Sequence, residues 1–133
     1  MSRKRYGHSA VLVGSRMFIF GGKGELGLLR DIHFLDLNSW AWVPVSSTTA
    51  GPSPRLNHAT ALVGRKMVVH GGWDGAESAL SDLWVFDTEA FTWMSPVTAG
   101  LPPSPRYGNL ALSYSPLSFL SLQYQRTAST PMV

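Results

Sequence analysis

Four histidines and eight acidic residues are the raw material for acid–base or metal chemistry in this 133-residue chain. His8 and His58 could serve as general bases or metal ligands, and Asp31, Asp36, Asp82 and Asp87 could supply carboxylates. The stretches GGKGELG (21–27) and GGWDG (71–75) invite comparison with loops that cradle phosphate. Their spacing argues against each reading. His8 and His58 occupy the same place in two similar segments, and so do the four Asp residues; residues that recur with a structural unit serve that unit. For the histidines this implies structural hydrogen bonding, and for the Asp residues turn capping. His70 stands where the earlier segment has Phe20, and His33 is alone on a strand. The glycine stretches lack the Lys-Ser/Thr of a phosphate loop and precede a strand instead of a helix. With no Cys, the chain has no thiolate nucleophile, thiolate metal site or disulfide. The expected catalytic, cofactor-binding and metal residues are therefore none.

The elements that would position these side chains follow from an internal repeat. RYGHSAVLVGSRMFIFGG (5–22) aligns with RLNHATALVGRKMVVHGG (55–72), matching Arg5 with Arg55, His8 with His58 and Gly21-Gly22 with Gly71-Gly72. One extra residue then enters the second copy. Beyond it Asp31 matches Asp82, Asp36 matches Asp87 and Trp42 matches Trp93, giving a period of 50 to 51 residues. Each unit reads as four strands. His8–Val13 and Met17–Phe20 are separated by a hairpin-length link, Ile32–Asp36 follows, and a turn leads to a Trp-bearing strand. The second strand, Met-Phe-Ile-Phe in the first unit, is apolar on both faces, as a strand sandwiched between neighbouring sheets should be. Its glycine pair allows a sharp turn in a crowded place, and Trp42 and Trp93 are expected to cover such sites.

The glycine pair, the spaced aromatic-Asp segment and the Trp together resemble the Kelch repeat family over about residues 5–112. The resemblance implies an all-β fold: a Kelch-type β-propeller fragment of about two four-stranded antiparallel blades plus the first strand of a third. The first unit departs from the family in having Phe34-Leu35-Asp36 where a Tyr near the Asp is usual, and the second has Val85-Phe86-Asp87. The expected divisions are an extension (1–4), repeat 1 (5–54), repeat 2 (55–105), the start of a third repeat (106–114) and a divergent tail (115–133). That tail is either disordered or adds a strand of its own. A ring needs roughly four to eight blades, so the chain reads as a piece of a larger propeller.

Kelch-like proteins imply a non-catalytic interaction scaffold or adaptor with a protein partner. The rival is part of a propeller enzyme, similar to galactose oxidase or a sugar epimerase, whose site lies in blades absent from this sequence. The copper type needs a Tyr cross-linked to Cys, which a Cys-free segment cannot provide. Recognition should use what does not repeat. Antiparallel strands bring the loop after the second strand and the loop before the first to one end, gathering Arg5, Tyr6, Lys23, Glu25, Arg55, Trp73, Asp74, Arg106 and Tyr107. A net charge of +3 with mixed signs gives no stripe for nucleic acid, and no apolar run approaches membrane-spanning length. The expected location is intracellular and cytoplasmic, and the isolated chain is expected to self-associate through blade faces without ring neighbours.

Overall fold

A computed structural model of the chain describes residues 4–76 and 79–100, together with the backbone of residues 110–115 and 118–122. Every regular element among them is a strand. The first unit holds β1 (Ser9–Val13), β2 (Arg16–Phe20), a short hairpin of β3 (Lys23–Gly24) and β4 (Gly27–Leu28), then β5 (Ile32–Asp36) and β6 (Ala41–Val45). The second holds β7 (Ala59–Val63), β8 (Lys66–His70), β9 (Leu83–Asp87) and β10 (Thr92–Met94). A last hairpin, β11 (Leu110–Ser115) and β12 (Ser118–Leu122), follows.

Two antiparallel four-stranded sheets result, ordered β1-β2-β5-β6 and β7-β8-β9-β10, which is the architecture of a Kelch propeller fragment. Val13 pairs with Arg16 and Val63 with Lys66 across two-residue turns. Gly14 (φ 59°) and Gly64 (φ 63°) give these turns a positive φ at the first central position, as a II′ hairpin requires. At the far ends of β5 and β9, Asp36 Oδ1 accepts from the Asn38 amide at 2.9 Å, and Asp87 Oδ1 accepts from the Glu89 amide at 2.8 Å. These two carboxylates are turn caps, as the sequence implied.

Strand pairing decides which side chains enter the core, because residues directly opposite share a face. Val11, Phe18, Phe34 and Val43 form one cross-strand row of the first sheet; Leu62, Met67, Phe86 and Trp93 form one of the second. The two rows meet in one apolar cluster between the sheets. Phe18 lies 6.3 Å from Phe86, and Phe20 lies 5.2 Å from Trp93, ring centre to ring centre. Phe86, at the position near the Asp where the family has Tyr in its usual pattern, is fully buried, so an apolar ring suits it.

Trp93 packs on Phe20 of the preceding sheet and over Gly51, where an added Cβ would stand 2.5 Å from the indole. Trp42, at the equivalent position, has no such neighbour among the described residues and is 37% exposed. The covering role therefore belongs to the interface between blades, and among the described residues Trp93 fills it and Trp42 does not. Beyond the second sheet the backbone of β11 runs beside β7, as β1 does on the other side. Strand β12 falls within residues 115–133, beyond the single strand expected of the third unit.

Candidate interaction surface

The glycine pairs are where the second strand of each unit leaves its sheet and meets the incoming chain. Gly22 (φ 95°) and Gly72 (φ 99°) take a left-handed backbone, and a Cβ on either would stand 2.7 Å from the Tyr6 carbonyl oxygen or 2.9 Å from that of Leu56. This close approach lets Tyr6 and Lys23 exchange backbone hydrogen bonds of 3.0 and 2.8 Å, and Leu56 and Trp73 exchange bonds of 3.1 and 3.0 Å. The loop after the second strand and the segment before the first thus emerge together.

Beneath these bridges sits a second repeated device. Arg5 Nη1 donates to the Gly21 carbonyl (3.0 Å) and to Asp31 Oδ1 (2.6 Å), and Nη2 donates to Asp31 Oδ2 (2.9 Å). Arg55 repeats the pattern on Gly71 (2.9 Å) and Asp82 (2.6 and 2.8 Å), and adds Ser53. The arginine side chains are 3% and 1% exposed. Burial pushes the Asp31 and Asp82 carboxyls up, but the bidentate arginines outweigh it and hold both below the usual carboxylate range. Asp31 and Asp82 are therefore partners of buried arginines and not turn caps. His33 is not alone either: its Nε2 lies 2.8 Å from Asp31 Oδ2.

Of the two histidines that recur, His58 takes part in the frame. His58 Nε2 meets the Ser9 hydroxyl at 2.7 Å, tying the second unit to the first, and its ring lies edge-on to Phe20. Burial, aided by the Arg55 charge, pushes its pKa down to about 3, so it is neutral at physiological pH. His8 is lowered as well, by burial and then by Arg5, but it is exposed. Among the described residues no group of three or more His, Cys, Asp or Glu could hold a metal ion.

The expected surface residues divide accordingly. Tyr6 (60% exposed), Lys23 and Glu25 stand in solvent, and Trp73 and Asp74 are half-buried at the same end of the molecule. Trp73 Nε1 donates to the Ala76 carbonyl, and Asp74 Oδ1 accepts from the Ala76 amide at 3.2 Å, so this loop is folded on itself. Arg5 and Arg55 belong to the layer below and do not stand in solvent. Arg106 and Tyr107 lie outside the described residues. The geometry adds Leu26, 88% exposed at the tip of the β3–β4 hairpin. It borders a cleft of about 350 Å³ lined with Lys4, Gly24, Glu25 and Leu29. Its signal was legible as an apolar residue between two glycines of a hairpin-length turn.

Residues 1–120 match the KLHDC2/KLHL20/DRC7 Kelch-repeats domain. Among curated proteins, Acyl-CoA-binding domain-containing protein 4 of Arabidopsis thaliana is 33% identical over 82% of this chain and 16% of its own length. The human Rab9 effector protein with kelch motifs is 32% identical over 82% of this chain and 31% of its own length. Human Kelch domain-containing protein 3 is 31% identical over 94% of this chain and 36% of its own length. The chain thus spans about a third or less of these relatives. Because the match covers the same two units whose glycine pairs, buried arginines and sheet order are described above, the chain belongs to the Kelch-repeat family.

Proposed function

We propose that this chain is a non-catalytic interaction segment of a Kelch propeller, presenting a protein partner with the loop end formed by Tyr6, Lys23, Glu25, Leu26, Trp73 and Asp74. The observation that carries this reading is the contrast between frame and loops. Two arginine–aspartate pairs of nearly identical geometry hold up loops that differ in length and, among the described residues, in the side chains they expose. Variable loops on a rigid scaffold are where recognition usually resides. The exposed set includes an aromatic, an apolar tip and both signs of charge, a mixture suited to a protein surface better than to a polyphosphate backbone. Arg5 and Arg55 support this end from below. Kelch relatives include one named as a Rab9 effector, which agrees with an interaction role. We place the chain in the cytoplasm, with partner binding as its contribution to a larger propeller protein.

Affinity capture with the tagged chain tests this, comparing wild type, Tyr6→Ala/Trp73→Ala and Arg65→Ala/Lys66→Ala at the opposite end. A partner held by wild type and the second variant, and weakened at least tenfold by the first when remeasured with purified proteins, is the expected result. Loss of binding only in the second variant would place recognition at the other end.

A further inference from the structure

Five arginines lie among the described residues, and four of them are occupied. Arg5 and Arg55 are held by Asp31 and Asp82, Arg65 pairs with Glu89, and Arg16 lies 4.6 Å over the Phe34 ring. Arg30 is exposed and makes no hydrogen bond or ion pair with any described residue. It belongs to no repeated device either, since the second unit has Ser81 at its position.

The backbone that carries Arg30 is pinned on both sides. Leu29 donates to the Gly22 carbonyl at 2.8 Å and accepts from the Arg55 amide at 3.1 Å. The Asp31 carbonyl accepts from the Gly21 amide at 3.3 Å, and its carboxylate takes the Arg5 guanidinium. The Arg30 side chain borders a cleft of about 270 Å³, lined across from it by Ser47, Thr49 and Gly51 of the linker and by Trp93 of the second blade. That wall is fixed as well. The Thr49 hydroxyl accepts from the Trp93 amide at 2.7 Å and donates to the Trp93 carbonyl at 3.1 Å. Both blades that form the cleft belong to this chain, so its shape does not wait on a further blade.

The lining selects the ligand. Among the described residues no other charged side chain lines the cleft, so one positive charge stands there without compensation. Its volume of about 270 Å³ falls below the roughly 300 Å³ at which small-molecule sites begin, and suits a single side chain of a larger partner. One guanidinium matches one carboxylate in charge and in its two parallel donors, whereas a phosphate monoester, with a charge of about −2, calls for a second cation. Arg55 in the layer below cannot supply it, being held by Asp82.

We propose that this cleft takes one carboxylate side chain, an Asp or Glu of the protein partner, on the guanidinium of Arg30. Arg30 is then a specificity residue at the seam between the blades, beside the loops. The inference rests on the reading above that the chain meets a protein partner, and not on which loops it uses.

A randomised peptide display library selected on the purified chain, with the enriched peptides resynthesised, supplies the probe. Those peptides should share an Asp or Glu at one position. Replacing it by Asn or Gln, or making Arg30→Gln in the chain, should each weaken binding about five- to tenfold, as a half-exposed charge-assisted pair implies. The two changes together should cost no more than either alone. Arg30→Lys, which keeps the charge without the fork, should retain part of the affinity. Arg65→Gln, removing an exposed arginine already paired at the opposite end, should change nothing. Peptides without an acidic position, or tighter binding of phosphoserine than of Glu at that position, would overturn the inference. Peptides weakened by Tyr6→Ala/Trp73→Ala but indifferent to Arg30→Gln would overturn it and leave the loop-end reading in place; sensitivity to Arg30→Gln alone would do the reverse.

Discussion

Consider Asp82→Ala beside Arg55→Met, two changes that break the same ion pair from opposite ends. Arg55 is 1% exposed, whereas the Asp82 side chain is 39% exposed. Removing the carboxylate strands a buried cation among neutral acceptors, the Gly71 and Ser53 carbonyls and the Ser53 hydroxyl. Stranding a buried charge costs on the order of 3–5 kcal/mol. Removing the guanidinium instead leaves a carboxylate that water can reach, so the pair itself is worth only about 1 kcal/mol from that side. Arg55→Met further leaves the Gly71 carbonyl without its donor, adding about 1–2 kcal/mol. The outer partner should therefore be the more costly to lose, by about 1.5 kcal/mol at the midpoints of these ranges. Urea denaturation followed by tryptophan fluorescence, with a shared slope, measures both; Trp84→Phe serves as control, since the Trp84 indole also donates to Asp82 at 2.9 Å. The pH dependence gives an independent check. A carboxyl held below its unfolded value stabilises the fold above about pH 4 and loses that contribution as pH falls through the folded value. Asp82→Ala should thus flatten part of the acid limb, with Asp31 supplying the remainder. Equal losses from the two variants, or less than about 1 kcal/mol for Asp82→Ala, would mean that water reaches Arg55 and the pair is an ordinary surface bridge.

Gly72→Ala should cost more than about 2 kcal/mol in the same assay, since its φ and the Leu56 carbonyl both oppose a Cβ, while Gly64→Ala, in open space, should cost about 1. Trp93→Ala should cost about 3–5 kcal/mol and broaden the melt by parting the blades, whereas Trp42→Ala should cost less than about 1. His58 should show no NMR titration between pH 8 and 4. Because its folded pKa is depressed to about 3, its contribution is complete above its unfolded value and declines below about pH 6.5, by at most about 1.4 kcal/mol per pH unit. His58→Gln should remove that slope from stability measured between pH 7 and 5.

The fold was legible because its signals are local and occur twice. Gly14, Gly21-Gly22 and Asp36 mark turns by their own chemistry, and their copies at Gly64, Gly71-Gly72 and Asp87 set the period. What the sequence concealed was partnership across distance. Arg5 stands between Lys4 and Tyr6 and Arg55 between Pro54 and Leu56, and a loop arginine reads as exposed until its acceptor 26 or 27 residues away is known. A signal was present: Arg and Asp recur in step, and a pair of opposite charges repeated together suggests a bond between them. Trp42 and Trp93 hid a different fact. Equal repeat positions carry equal side chains, yet only one has a neighbouring blade among the described residues, so the same residue is core in one unit and surface in the other.

The arginine–aspartate pairs carry a consequence for how such loops can be altered. Each pair clasps the base of the loop it encloses, and the clasp closes at 2.6 Å in both units although the second loop is one residue longer. Residues added beyond the clasp change neither its bonds nor the sheet beneath. A longer flexible loop then pays only the slow logarithmic growth of closure entropy, about 0.6 kcal/mol for each doubling. Lys23–Leu28 and Trp73–Ala76 are in this sense interchangeable cassettes. A foreign peptide grafted between Lys23 and Leu28, or a randomised library placed there, should inherit a prebuilt footing that includes the Leu29 backbone bonds to Gly22 and Arg55, making the chain a scaffold for selecting binders.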